Sequence, residues 1–172
     1  VNVIPFHTWF LADFETPVSS FLKIAKGSYN FLLESAEQEE KTGRYSFIGS
    51  YPEIIIKGKD TRVEIIDYRN GIREKFEKKH PLKVIEDFLR EYSTVRIKSL
   101  PLFTGGFVGF VSYDYVRKIE NIPEICEDDL STPDFIFFFP KKFIIFDHFK
   151  RKLFLITNVF IEKDKNLKMI YN

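Results

Sequence analysis

Residues 31–49 read FLLESAEQEEKTGRYSFIG. An apolar run ends in Leu32-Leu33-Glu34-Ser35, a polar loop follows, and a second run opens at Arg44-Tyr45-Ser46-Phe47-Ile48-Gly49. Two short apolar runs divided by a hydrophilic stretch predict two neighbouring β-strands. Their facing ends carry one carboxylate (Glu34), one hydroxyl (Ser35) and one guanidinium (Arg44). An acid holds an ammonium and a cation holds a carboxylate, so the set suits a zwitterion. Without further context the same residues suit a solvated strand end in which serine begins a turn.

The rest of the chain extends this pattern. Thr16-Pro17 is a helix-start signal, with a side-chain cap and a proline at the first helical position. Val18, Phe21, Leu22 and Ala25 then mark one apolar face, and Gly27 ends it. Strands are predicted at Asn30–Ser35, Tyr45–Ser50, Glu53–Lys57, Arg62–Asp67 and Ile72–Phe76. Asn70-Gly71 reads as a two-residue hairpin turn, because both residues tolerate positive φ. Lys57–Asp60, holding Gly58, reads as another turn. Pro81–Tyr92 reads as a helix with a stripe of Val84, Ile85, Phe88 and Leu89. A glycine-rich strand follows at Thr104–Val111, then a helical turn at Ser112–Arg117 and an acidic loop at Asn121–Pro133. The last strands are Phe135–Phe139, Phe143–Asp147 and Leu153–Val159, and a helix is expected to begin near Asp164. The fold class is α+β: an antiparallel, sandwich-like sheet with about two helices.

Composition narrows the function. The 172 residues suit one domain with a real core. A net charge of +1, with both signs interspersed, lacks the basic face that a nucleic-acid partner requires. The 20 phenylalanines sit mostly in strand-like runs and read as core. No apolar run is long enough to cross a bilayer, and no signal peptide is visible. The single cysteine, Cys126, lacks an internal partner, which fits a reducing cytoplasm. Its neighbours Glu124, Glu127, Asp128 and Asp129 disfavour a thiolate, so it reads as passive. His7, His80 and His148 are scattered, without partners at metal-ligand spacing, and no metal or catalytic set is assigned. Gly105-Gly106-x-x-Gly109 has neither the lysine of a phosphate loop nor dinucleotide-site spacing. It reads as close backbone packing, with Tyr113, Asp114 and Arg117 as interface or internal hydrogen-bonding residues. The start at Val1 and the charged end at 162–172 suggest a piece of a longer protein.

Three blocks carry a family resemblance. They are LLES with GRYSFIG, then GGFVGF-x-x-YD-x-VR over 105–117, then a late hairpin from Phe143-Ile-Ile-Phe-Asp147-His148 to Leu153 and Asn158. In this order and spacing they resemble the N-terminal domain of anthranilate synthase component I. The resemblance implies that 1–160 forms this regulatory domain. It implies that 161–172 begins a linker or helix toward a C-terminal chorismate-binding domain. It implies L-tryptophan as a feedback inhibitor, bound by Leu33, Glu34, Ser35, Arg44, Tyr45 and Ser46, with Lys41 a weaker candidate. The parent would be a lyase that converts chorismate and ammonia to anthranilate and pyruvate. It would use magnesium and take ammonia from a glutamine amidotransferase subunit. Its catalytic and magnesium residues would lie in the C-terminal domain, leaving this chain inactive alone and without a cofactor. Two alternatives stay open. One is the matching domain of aminodeoxychorismate synthase component I in the folate pathway. The other is a structural scaffold with no working ligand site.

Overall fold

Where the sequence is apolar on both sides of a strand, that strand must be covered twice, and this rule organises the fold. A computed structural model describes residues 2–35, 43–123 and 128–161. The strands are β1 (Val3–Leu11), β2 (Phe31–Leu33), β3 (Tyr45–Lys59), β4 (Arg62–Asp67), β5 (Ile72–Glu77), β6 (Val108–Val111), β7 (Phe135–Asp147) and β8 (Lys152–Phe160). The helices are α1 (Pro17–Ile24) and α2 (Lys83–Glu91), with a 3₁₀ turn at Tyr113–Lys118. The α+β class with antiparallel strands and two α-helices is as expected.

The chain divides into two compact units. The first draws on Val1–Pro52, Tyr92–Gly106 and Pro140–Asn172, and the second on Glu53–Glu91 and Phe107–Phe139. In the first unit the strand order is β1-β8-β7-β3-β2. The β1–β8 ladder runs from Val3 opposite Phe160 to Leu11 opposite Lys152. β7 pairs β8 from Lys142 opposite Thr157 to Asp147 opposite Lys152. Phe143 and Ile145 point to one face, where they pack with Leu100, Phe154 and Ile156 under Ile97 and Phe103. Ile144 and Phe146 point to the other, with Ile48 and Leu153 under Phe21 and Ile24 of α1. An unbroken apolar run is what a strand buried on both faces requires. α1 starts as its cap predicts. Ser19 N–H donates to Thr16 Oγ1 at 3.0 Å, and Thr16 N–H donates to Ser19 Oγ at 2.9 Å.

In the second unit the order is β6-β7-β3-β4-β5. Its buried side chains include Ile54, Ile55, Ile56, Val63, Val84 and Phe135. Two long strands replace the four short ones expected over 45–57 and 135–147. β3 runs on through Tyr51-Pro52, with Tyr51 at a φ of 54°, and β7 runs on through Pro140. Each proline stands where its strand leaves one unit for the other.

Other expectations need correction. Asp67 pairs with Ile72, so Tyr68–Gly71 is a four-residue loop rather than a two-residue Asn-Gly turn. Among its non-strand residues only Gly71 has positive φ, at 67°. The Asp67 carboxylate organises this loop by accepting from Arg69 N–H at 2.9 Å and from Asn70 Nδ2 at 3.1 Å. Gly58 lies inside β3, where the Phe135 ring occupies the space of its missing Cβ, 2.4 Å away. The turn falls instead at Asp60-Thr61, with Asp60 at a φ of 54°. The glycine-rich strand is shorter than expected, at Val108–Val111. β1 was not anticipated: its sequence lacks alternation and holds Pro5, which an outermost strand tolerates. Lys41, Cys126 and the helix expected near Asp164 lie outside the described residues. Among the described residues no helix is long and apolar enough to cross a membrane.

Candidate functional site

β2 pairs β3 with Leu33 opposite Phe47, so the end of LLES and the start of RYSF adjoin. Leu33, Glu34 and Ser35 are exposed. Arg44, Tyr45 and Ser46, however, are engaged internally. Arg44 makes a two-pronged pair with Asp147, Nε to Oδ1 at 3.0 Å and Nη2 to Oδ2 at 2.6 Å. Asp147 is only 3% exposed against 28% for Arg44. Burial pushes the Asp147 carboxyl up. Hydrogen bonds from Arg44 and Lys150 N–H, with the charge of Arg44, outweigh it and hold the group below the usual carboxylate range. The guanidinium also lies over the rings of Tyr45 and Phe149, at 5.0 and 5.7 Å. Tyr45 is half-buried, and this burial raises its phenol pKa. Ser46 is buried and shares a 2.7 Å hydrogen bond with His148 Nε2. The His148 ring stacks on Phe146.

Beside this network lies a cleft of about 280 Å³. Ala12, Pro17 and Phe146 give it apolar walls, and Glu34, His148 and Arg151 give it polar ones. Glu15, Thr16 and Asp147 also line it. Glu15 is committed to Lys23 and to Ser19 Oγ, Thr16 to its cap, and Asp147 to Arg44. Among the described residues neither the Glu34 carboxylate nor the Arg151 guanidinium has a protein partner. The site residues thus separate. Glu34 lines the cleft and Leu33 and Ser35 flank it in sequence, whereas Arg44, Tyr45 and Ser46 are not among the lining residues; Arg44 and Ser46 instead bond the lining residues Asp147 and His148.

Sequence reasoning missed Asp147, His148 and Arg151. Their signal was the late hairpin itself, in which an aspartate closes the strand before a four-residue loop, as Asp67 does earlier in the chain. Two larger clefts of about 550 and 460 Å³ lie in the second unit. Most of their charges are already paired: Lys57 with Glu64, Lys59 with Asp128, Lys118 with Asp60 and Arg117 with Asp114. The glycine block matches its structural reading. A Cβ on Gly109 would sit 1.9 Å from Ile136 O, and one on Gly105 would sit 2.7 Å from Asn158 Nδ2.

The fold is thus an α+β domain of antiparallel strands that places one acid, Glu34, and one base, Arg151, at the lining of a single cleft. Comparison with known proteins makes this specific. The sequence model of the family described as chorismate binding enzyme matches residues 28–171, and this chain belongs to that family. It is 36% identical over 160 residues to anthranilate synthase component 1 of Acetivibrio thermocellus, covering 93% of this chain and 32% of that protein. It is 38% identical over 158 residues to the protein of the same name from Thermus thermophilus, covering 91% and 32%. The crystal structure of anthranilate synthase component I from Streptococcus pneumoniae superposes with a TM-score of 0.54 at 26% identity, covering 94% of this chain and 34% of that one. The chain therefore spans about a third of the length of these relatives.

Proposed function

We propose that this chain is the N-terminal, tryptophan-sensing domain of an anthranilate synthase component I. The observation that carries the reading is Glu34 at the end of β2. Its carboxylate is unpartnered among the described residues and lines a cleft with apolar walls. Such a carboxylate suits the ammonium of an amino acid, and the walls suit its side chain. The family membership and the relatives support the assignment to tryptophan biosynthesis.

On this reading residues 1–160 are sensor and scaffold, and 161–172 lead toward a C-terminal chorismate-binding domain. That domain would carry the lyase chemistry, and a glutamine amidotransferase subunit would feed it ammonia. Magnesium belongs with that chemistry. Among the described residues no group of three or more His, Cys, Asp or Glu is placed to hold a metal ion, so no step is assigned to it here. Tryptophan would favour an arrangement of the parent in which the lyase centre is incompetent. Such coupling amounts to about 1–3 kcal/mol. A second reading, a scaffold without a ligand, draws on Arg44, since the guanidinium expected at the ligand is held by Asp147.

Calorimetry with L-tryptophan separates the two. The wild type is expected to bind, and Glu34→Gln to bind about tenfold more weakly, because a charge-assisted hydrogen bond is lost. Ser35→Ala should lose less, and L-phenylalanine should bind less tightly than tryptophan for want of an indole N–H. Equal affinity of wild type and Glu34→Gln would remove Glu34 from the site.

A further inference from the structure

The two hairpins that end in aspartate share one design. Asp67 pairs with Ile72 across the loop 68–71, and Asp147 pairs with Lys152 across the loop 148–151. Each aspartate accepts a backbone N–H from its own loop, from Arg69 at 2.9 Å and from Lys150 at 3.0 Å. In each, the last loop residue takes a left-handed backbone, Gly71 at a φ of 67° and Arg151 at 49°. Glycine adopts this conformation freely. A residue with a Cβ does so at a cost in stability, and such strain tends to sit at functional positions.

The second hairpin thus carries an arginine where its twin carries the relaxed residue. That arginine has no protein partner among the described residues and lines the cleft that holds Glu34. The other candidate cation, Arg44, is bound to a buried carboxylate. Glu34 and Arg151 are both exposed, and a ligand with a single charge would meet only one of them. A zwitterion answers both, and a guanidinium can grip a carboxylate with two parallel N–H donors.

We propose that Arg151 is the carboxylate anchor of this cleft, gripping the α-carboxylate of the amino acid whose ammonium Glu34 meets. This rests on the tryptophan-sensor reading for the identity of the ligand.

The test compares wild type, Arg151→Gly and Arg151→Lys by thermal melting and by calorimetry with L-tryptophan and with tryptamine, which lacks the carboxylate. Arg151→Gly should melt at a higher temperature, because it restores the glycine of the twin hairpin. It should also bind tryptophan about tenfold or more weakly. Tryptamine should bind Arg151→Gly and wild type alike. Arg151→Lys should melt like wild type and bind tryptophan with intermediate affinity, since it keeps the charge and loses the fork. If Arg151→Gly binds tryptophan as wild type does, the anchor is refuted while the sensor reading stands. If wild type ignores tryptophan but takes another standard L-amino acid in an Arg151-dependent way, the sensor reading fails and the anchor holds. If none of the standard L-amino acids binds at millimolar excess, both fall.

Discussion

Arg44→Met is expected to cost about 3 kcal/mol of folding stability at neutral pH, the lower end of the range for stripping one partner from a buried ion pair. The lower end applies because Arg44 is 28% exposed while Asp147 is 3% exposed. The damage falls on Asp147, which keeps the N–H of Lys150 but loses both guanidinium contacts. The pH dependence follows from the sign of the shift. Asp147 in the folded wild type lies below its ordinary carboxyl value. Its contribution is therefore complete above the unfolded value and is lost as the pH falls through the folded one. In Arg44→Met the buried carboxyl, left with the Lys150 N–H alone, is pushed up instead, and acid neutralises it early. The gap between wild type and variant should be widest at neutral pH and should narrow through the carboxylate range. Urea unfolding at neutral and at acid pH checks this. A gap of constant size would mean that Arg44 acts by packing alone. Asp67, paired with Arg69 and held below the usual range despite its burial, adds to the same acid sensitivity.

Phe143→Ala should cost about 3–5 kcal/mol, the usual range for truncating a buried phenylalanine. Phe143 is 1% exposed. Its ring lies 5.9 Å from that of Phe103, centre to centre, in a cluster with Ile145, Phe154 and Ile156. Phe149 sits six residues on in the same hairpin but is 61% exposed, so Phe149→Ala should cost far less. Chemical denaturation of both variants gives the contrast. Comparable losses at the two positions would show that the β7–β8 core is not packed as described.

These two sites also show how far the sequence could be read. Phe143–Asp147 declared itself as a strand, a short apolar run bounded by lysine and followed by a turn; that it is covered on both faces came from the structure. Helix α1 was equally plain, since Thr16 and Pro17 state a helix start chemically, and the structure adds Ser19 as the return half of the cap. β1 was not, because Pro5 and the lack of alternation hide an outermost strand. The breaks assumed near Pro52 and Pro140 were misread for a related reason. Proline signals a local irregularity, and whether a strand ends there depends on neighbours far away in sequence. The position of Glu34 followed from local chemistry, for it comes at a strand end as expected. The fate of Arg44 did not, for its partner Asp147 is distant in sequence and only the register of β3 beside β7 brings them together. Arg151 was hidden by its loop, His148-Phe149-Lys150-Arg151, which holds no glycine or asparagine to advertise a left-handed residue.

The central claim is that the cleft beside Glu34 senses tryptophan, and amide shift mapping on the wild-type protein with L-tryptophan tests it most directly. Saturable shifts are expected at Leu33, Glu34 and Ser35 and in the 148–151 loop, with the second-unit strands β4 and β5 unmoved. Shifts confined to other regions, or none between Leu33 and Ser46 at millimolar excess, would contradict it.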